Sequence, residues 1–527
     1  MQPLARVGAY LFLCFLSLIL NVDRAFGQTN DQRYYDIGNP TVTDIYLDPT
    51  NGNDGNDGSS RTAALKTLKV AWDKIPADTQ LTNGYRINIL PGIVPCPSNC
   101  NNYLAQKYGT AQFPIIITAA DGRGTATIQG GLNVFKVNYL YLMDLNIEAG
   151  NGVGTFSNDV LHFEQVYNLL MRGLKVTGLN PAEFQEVIKA NQCQNVYLED
   201  SEVSGCGSTG VDFFAVQWGH IVNNRIHNAG TYGMYLKGGS GYFRVEANEI
   251  YNTQFGFGAG EGSNISYLVP PYFHYEVYDV KFVNNVMHDI PGTGIAVSGG
   301  YNILLAYNTL YKVAYSQAPT YGILTLDYGI RVCNDATGVT CKQMTDQGAW
   351  GSSTAQDPSV SYDIPNRNVF IYNNIIYNPA PLQTTYGDFV IYGPKPRPAG
   401  FVNLPDTLAT DQNLQIKGNV IWNGPGNQQL GIELPDRGCQ ATNPTCNAAQ
   451  LQTDNTINVV EPKLLNPDNG DFHLSPDANL ANAKTFAIPD FTWDEPVVAG
   501  NLSNAIMEDR DWKARAQANP QGAYTLP

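Results

Sequence analysis

Positive charge is what this sequence is shortest of. Thirty-one lysines and arginines face 47 aspartates and glutamates, giving a formal net charge of -16 and a pI near 4.7. Duplex nucleic acid and anionic membranes recruit basic surfaces, so both are excluded as partners. Histidine is scarce, with six in the whole chain. No CxxC pair occurs and no histidine stands at ligand spacing from a cysteine, which argues against zinc. Long apolar runs are missing beyond Leu20, so no later segment is able to span a bilayer.

The one apolar run that exists, Val7 to Leu20, follows Arg6 and precedes the small-residue stretch Ala25-Phe26-Gly27. That order predicts a secretory signal over 1–27, cleaved before Gln28, with a membrane anchor as the other reading. The mature chain is then expected to be exported, either extracellular or periplasmic, off the membrane and monomeric. Removing Cys14 leaves eight cysteines in four close pairs: Cys96 and Cys100, Cys193 and Cys206, Cys333 and Cys341, Cys439 and Cys446. In an oxidising compartment four local disulfides are the simple expectation.

One pattern recurs between residues 138 and 422. The segments "YLYLMDLNI", "NLLMRGLKV", "NVYLEDSEV", "GHIVNNRI", "FRVEANEI", "DVKFVNNVM", "NILLAYNTL", "NVFIYNNII" and "LQIKGNVI" end at Ile147, Val176, Val203, Ile226, Ile250, Met287, Leu310, Ile376 and Ile421. The positions five and seven residues before each anchor are apolar except for Gly219, while residues next to them include the charged Arg172, Arg244 and Lys281. A spacing of two is strand alternation, not a helical face. Two before the anchor stand Asn224, Asn248, Asn285, Asn308, Asn374 and Asn419, suited to hydrogen-bonding a bend from inside. Just after the anchors, His227, Tyr251, His288, Tyr311, Tyr377 and Trp422 form an aromatic column that reads as a stacking ladder. Short strands that close a coil and repeat in one direction predict an all-β solenoid, a right-handed parallel β-helix. The leucine-rich horseshoe has a similar period, but its consensus is absent.

The expected organisation is a cap region of strand and helix over 28–95, the β-helix over 96–430, and its closing end and cap over 431–527. "SSRTAALKTLKVAWDKI" predicts an amphipathic capping helix through Leu65, Leu68, Trp72 and Ile75. Two intervals between anchors are long, Ile250 to Met287 and Leu310 to Ile376, and insertions in solenoids form loops that often edge the binding face. The first holds the aromatic run "SYLVPPYFHYEVY".

Counting eleven residues past the anchors sets Lys237 and Glu261 on adjacent coils, where strands lie about 4.8 Å apart. Asp212 falls on the coil before, with the same facing parity. Tyr235, Trp218, Tyr272, Phe273, His274 and Tyr275 are expected to border the same groove, with Arg244 as a further substrate-binding residue. Such a groove suits three chemistries. One is β-elimination on a uronic-acid polysaccharide, with Lys237 as base and Glu261 and Asp212 orienting it or holding a cation such as calcium. Glycoside hydrolysis by Asp212 and Glu261 is the second; two coils separate them by about 9–10 Å, the far edge of the inverting range. The third is glycan binding without catalysis; an epimerase stands beside the hydrolase as a further alternative. A lone surface ion pair among packed aromatics is the bland reading.

The opening "TDIYLDPTNGNDGNDGSS", the closing "EPKLLNPDNGDFHLSPDANL" and "NPQGAYTLP", and "YLKGGSGYFRVEANEIYN" with "FGAGEGS" resemble secreted right-handed β-helix proteins of the pectate-lyase-like superfamily. The resemblance implies the fold over nearly the whole mature chain. It also implies that Lys237 matches the lysine base of the superfamily's polysaccharide lyases, with calcium as the cofactor to consider. Asp48, Asp54 and Asp57 of the acidic opening turn are candidate calcium ligands there; a solvated Gly/Asn turn is the alternative.

Overall fold

The computed structural model describes residues 33–96, 102–149, 159–178, 186–316, 322–354, 363–384, 387–515 and 520–526. The signal expected over 1–27 and Cys100 lie outside the described residues. Met1–Asn39 is one compact unit and Pro40–Pro527 another. In the first, Asp36 caps a turn by accepting a hydrogen bond from the Gly38 amide at 2.8 Å. The solenoid lies wholly within the second.

Strands of each coil pair in parallel with those of the next, and 31 of the described strands join one continuous sheet. Three ladders result. In the first, Leu142, Met171, Leu198, Ile221, Val245, Phe282, Leu305 and Ile371 stack in register. In the second, the anchors Ile147 to Ile421 stack likewise, with Ile128 before them and Ile457 after. The third runs through Val134, Phe163, Ala190, Phe213, Leu236, Ala259, Val297, Leu326 and Ile391. All these side chains point inward, and all but the partly buried Ile457 are almost wholly buried; their stacked apolar faces are the core. The first ladder begins at Val42, within the segment expected to cap the solenoid, where Val42–Leu47 pairs with Gly84–Ile89.

The bend between the first and second ladders is where the sequence shows its hand. Each ladder asparagine follows a residue in the left-handed region: Asn223, Ala247, Asn284, Tyr307, Asn373 and Gly418, with φ between 54° and 71°. The asparagine after it turns inward. The Asn285 side-chain Oδ1 accepts from the Asn248 backbone amide at 2.9 Å and from its Nδ2 at 3.0 Å, and Asn285 repeats the donation to Asn308. The chain of such bonds runs Asn224, Asn248, Asn285, Asn308, Asn374, Asn419, Asn455. Every member is buried, and bend amides that would be orphaned inside a coil are satisfied. The aromatic column is a stacking ladder in part: His227 on Tyr251 at 4.6 Å and Tyr251 on His288 at 4.7 Å are nearly parallel stacks.

Two expectations are corrected. The capping helix is short, Leu68–Asp73, with Thr67 as its N-cap; Leu65, Leu68, Trp72 and Ile75 are nonetheless all buried. The Cys193–Cys206 disulfide is absent: both are buried free thiols. The strands Gln194–Glu199 and Glu202–Cys206 lie between them, so they occupy opposite ends of a two-strand bend. Cys333–Cys341 and Cys439–Cys446 are bonded, as is Cys96. In the acidic opening turn, Asp48, Asp54 and Asp57 each accept backbone amide hydrogen bonds. Asp48 accepts from the Thr50 and Asn51 amides, Asp54 from the Lys66 and Thr67 amides, and Asp57 from the Ser59 amide.

Replacing Asn285 by alanine strips the Asn248 amide of its acceptor inside the core. The expected cost is about 1–3 kcal/mol, read as a lowered denaturation midpoint. Asn469→Ala, at an exposed position, is the control and is expected to change stability by no more than about 0.5 kcal/mol.

Candidate functional site

Outward positions of the third ladder alternate with its core column, and one outward row reads His162, Lys189, Asp212, Tyr235 on four successive coils. The next outward row carries Glu164, Asn191, Phe214 and Lys237. The Lys237 ammonium donates to Glu261 at 2.7 Å and to the Tyr235 hydroxyl at 3.2 Å, and sits 4.3 Å from the Tyr235 ring centre. Tyr235 in turn donates to Asp212 at 3.2 Å, and Lys189 reaches the same carboxylate oxygen at 2.7 Å. Lys189 also approaches Glu186 at 3.7 Å. Asp159 closes the row, accepting from the Glu186 amide at 3.3 Å and lying 2.8 Å from His162 Nδ1. Acids and amines thus alternate across this face.

Glu261 enters by a route that counting alone does not give. A register shift between Ala229 and Tyr232 pairs Leu236 with Ala259, which sets Gly260, not Glu261, level with Lys237. Glu261 follows just past the end of its strand and reaches back to the amine. Asp212 is fully buried while Lys189 keeps a quarter of its side chain exposed. Asp212 therefore positions the amines, while Lys189, Lys237, Glu186, His162 and Glu261 each keep at least 13% of the side chain exposed to a ligand.

Burial pushes the Glu186 carboxyl up to about 7, helped by its hydrogen bond with Asp159 and opposed by Lys189. Burial acts on Asp159 too, but hydrogen bonds from His162 and Glu186 outweigh it and its pKa falls. For Lys237 burial works to lower the pKa, yet Asp212 and Glu261 overcome it and the net direction is upward. Lys189 is raised in the same way, burial losing to Asp212 and Glu186. An amine raised above its ordinary value is a cation at neutral pH, so Lys237 carries charge rather than a free lone pair.

The insertion aromatics go elsewhere. Trp218 stacks on Tyr242 at 5.2 Å, and Tyr272 and Tyr275 pack with Tyr278, Tyr301 and Trp350 in a separate buried cluster. Phe273 packs with the Cys333–Cys341 disulfide. His274 stacks on Trp350 at 4.5 Å and bonds Glu495 at 2.7 Å. Tyr272, Phe273 and Tyr275 are each at most 6% exposed: an inserted loop needs its own core, and its aromatics supply it. Arg244 is on the first ladder, aligned with His220 and Lys281 and ion-paired with Glu246. None of these borders Lys237. The insertion meets the site instead through Tyr267, exposed by 60%, which packs edge-on against Phe214 at 6.4 Å and whose carbonyl accepts from Gln192 at 3.1 Å.

The insertion is pinned there by a buried ion pair. Glu276 accepts from Arg331, from Ser263 at 2.8 Å and from the Gly238 amide at 3.0 Å, and neither charged side chain has any exposure. Among the described residues no group of three or more His, Cys, Asp or Glu side chains is arranged to hold a metal ion, and the acids near Lys237 are already paired with amines. The residues present do not fit a calcium cage.

Glu186 gives a pH signature. Its folded pKa, about 7, exceeds the ordinary 4.5, so the folded state binds the proton more tightly and stability falls as pH rises between those values. Glu186→Gln mimics the protonated carboxyl. Relative to the parent protein, its thermal midpoint is expected to be higher at about pH 8 than at about pH 5; an offset that ignores pH would refute the shift.

The comparisons agree on architecture. A family model described as "Right handed beta helix region" matches residues 162–345. Among curated proteins, no sequence is significantly similar to the chain. Similar solved structures include a rhamnogalacturonan lyase, at 13% identity and TM-score 0.35, covering 72% of this chain and 87% of that one. A pectate lyase, at 14% and 0.39, covers 93% and 98%. A mannuronan C-5 epimerase module from Azotobacter vinelandii, at 14% and 0.38, covers 56% and 79%. At these values the likeness reaches the fold and no further. Three parallel ladders, inward apolar columns and the family match over 162–345 make this chain a right-handed parallel β-helix repeat protein.

Proposed function

We propose that the protein is an exported, carbohydrate-active β-helix protein that works through the outer face of its third ladder, cleaving an acidic polysaccharide by β-elimination. The observation that carries this reading is the Glu186 carboxyl, poised at about 7, with the Lys189 ammonium 3.7 Å away. In a uronate the proton to be removed, on C5, is next to the sugar carboxylate, so base and neutralising cation must stand side by side. Glu186 takes the C5 proton, and Lys189 offsets the charge building on the carboxylate. The released electron pair forms the C4–C5 double bond, the C4–O bond breaks, and the leaving oxygen takes a proton from water.

Lys237 was the expected base. Its raised pKa suits it better to a binding cation, holding a neighbouring uronate with Glu261 at its side, while Asp212 and Tyr235 fix both amines. Phe214 and Tyr267 offer ring faces to a sugar. Support for export comes from the two described disulfides, which persist in oxidising compartments. Calcium is assigned no step.

One observation favours a second reading, glycan binding without catalysis. Lys189 and Lys237 are each already paired with a carboxylate at 2.7 Å, which leaves a hydrogen-bonding surface of little net positive charge. The ultraviolet absorbance of an unsaturated uronate, followed on pectate, alginate and glycosaminoglycans with and without calcium, separates the two. The lyase reading expects product on one polymer, lost by a factor of about 10²–10⁴ in Glu186→Gln, and a raised KM in Lys237→Gln. Retention of a polymer without any unsaturated product would favour the second.

A further inference from the structure

The wall of the second ladder carries a feature that the third-ladder chemistry does not use. Its outward aromatic column passes through Tyr311 and Tyr377, which are level with each other on adjacent strands. The closing segment packs beside them, and between the two lies an open cleft of about 750 Å³, within the range of ligand sites. The apolar part of its lining is Tyr377, Leu382 and Leu464 with four prolines, Pro379, Pro381, Pro462 and Pro467. The charged part is Lys312, Glu461, Lys463 and Asp468.

Each acid uses one oxygen to hold a tyrosine. Glu461 Oε1 accepts from the Tyr377 hydroxyl at 2.9 Å, and Asp468 Oδ1 accepts from the Tyr311 hydroxyl at 2.9 Å and from Lys312 at 2.6 Å. Both carboxylates are exposed, Asp468 by 67%, so Glu461 Oε2 and Asp468 Oδ2 stay open to a ligand. The amines are committed: Lys312 to Asp468 and to the Tyr311 ring at 4.8 Å, Lys463 to Asp477 at 2.6 Å. Tyr311 is 4% exposed, which leaves the half-buried Tyr377 as the ring that offers surface to the cleft. One ring beside two open carboxylates suits a neutral sugar, whose C–H face packs on the tyrosine while its hydroxyls donate to the acids. A uronate would set its own carboxylate against both open acids. An extended peptide needs backbone donors along the wall, and four prolines remove them. A proline-rich peptide docks in a groove lined by aromatics, and this cleft presents one ring.

We propose that the cleft between the second ladder and the closing segment is a separate saccharide-binding site, selective for neutral sugar units. Tyr377 is its stacking surface, and Glu461 and Asp468 are its hydroxyl acceptors. It lies on a different wall of the solenoid from Lys189 and Lys237 and stands whether or not that face cleaves a polymer.

Calorimetry with linear hexamers of glucose, xylose, mannose and galactose tests this, with a galacturonate hexamer and a polyproline peptide as competitors. At least one neutral hexamer is expected to bind, and neither competitor in excess is expected to displace it. Tyr377→Ala and Glu461→Ala are each expected to weaken that binding by about tenfold or more. Glu461 is exposed, so its variant reports on the cleft even where Tyr377→Ala disturbs the strand. The site is overturned if no neutral hexamer binds, if binding is unchanged in both variants, or if either competitor displaces the sugar. None of these results bears on Glu186 and Lys189, whose role is read from unsaturated product.

Discussion

A buried amide side chain, repeated at one bend of successive coils, is the constraint from which the rest of this structure follows. Each ladder asparagine accepts from the preceding coil's asparagine and donates to the next. It can do so only if consecutive bends stand directly above one another. That requirement holds the first and second ladders in register across intervals as unequal as Asn285 to Asn308 and Asn308 to Asn374. The chain between bends is free to bulge outward, because the bend bonds and the inward apolar columns return it to the same place. The left-handed residue before each asparagine has an energetic cost when it is Ala247 or Tyr307, of order 1 kcal/mol or more, and the ladder bonds offset it.

Functional groups inherit this regularity. Side chains from four coils that are remote in sequence, His162, Lys189, Asp212 and Tyr235, meet in a row because their strands are stacked. The two long insertions are made part of the same rigid body by Glu276 and Arg331. Breaking one partner of so buried a pair leaves an uncompensated charge, a loss of about 3–5 kcal/mol. Its position is telling: Glu276 holds the Gly238 amide, the residue beside Lys237. The clasp that fixes the insertion therefore also fixes the backbone that presents the amine.

Alternation and asparagine spacing made the ladders legible in the sequence, since a period of two with a fixed inward polar residue has few other solutions. Phe214 and Lys237 pair as counting from the anchors implies. The count failed where connections change length. Eleven residues past Val176 is Val187, a core residue, because the connection from Thr177 to Ile188 is longer than that from Cys206 to Val211. Lys189 and Glu186 were missed for that reason. The insertion aromatics misled in another way. Composition marks them as sticky, but not whether they grip a ligand or each other, and Tyr272 and Tyr275 grip each other's neighbours. The cysteine pairs were read from proximity in sequence, and proximity along a strand is not proximity across a bend.

An acidic chain also limits what its few amines are able to do. Each amine drawn into this face is surrounded by carboxylates, so its pKa rises even where burial alone would depress it, as at Lys189 and Lys237. Lysine in such company is a fixed positive charge. The carboxyls feel the opposite pressure: crowded against one another and buried, one of them must give way and keep its proton. Asp159 is held down by His162 and Lys189, so the proton falls to Glu186. Glu186, whose protonation changes near neutral pH, is thus an acid that keeps its proton beside fixed cations. That assignment follows from the charge balance of the whole row rather than from any residue in it.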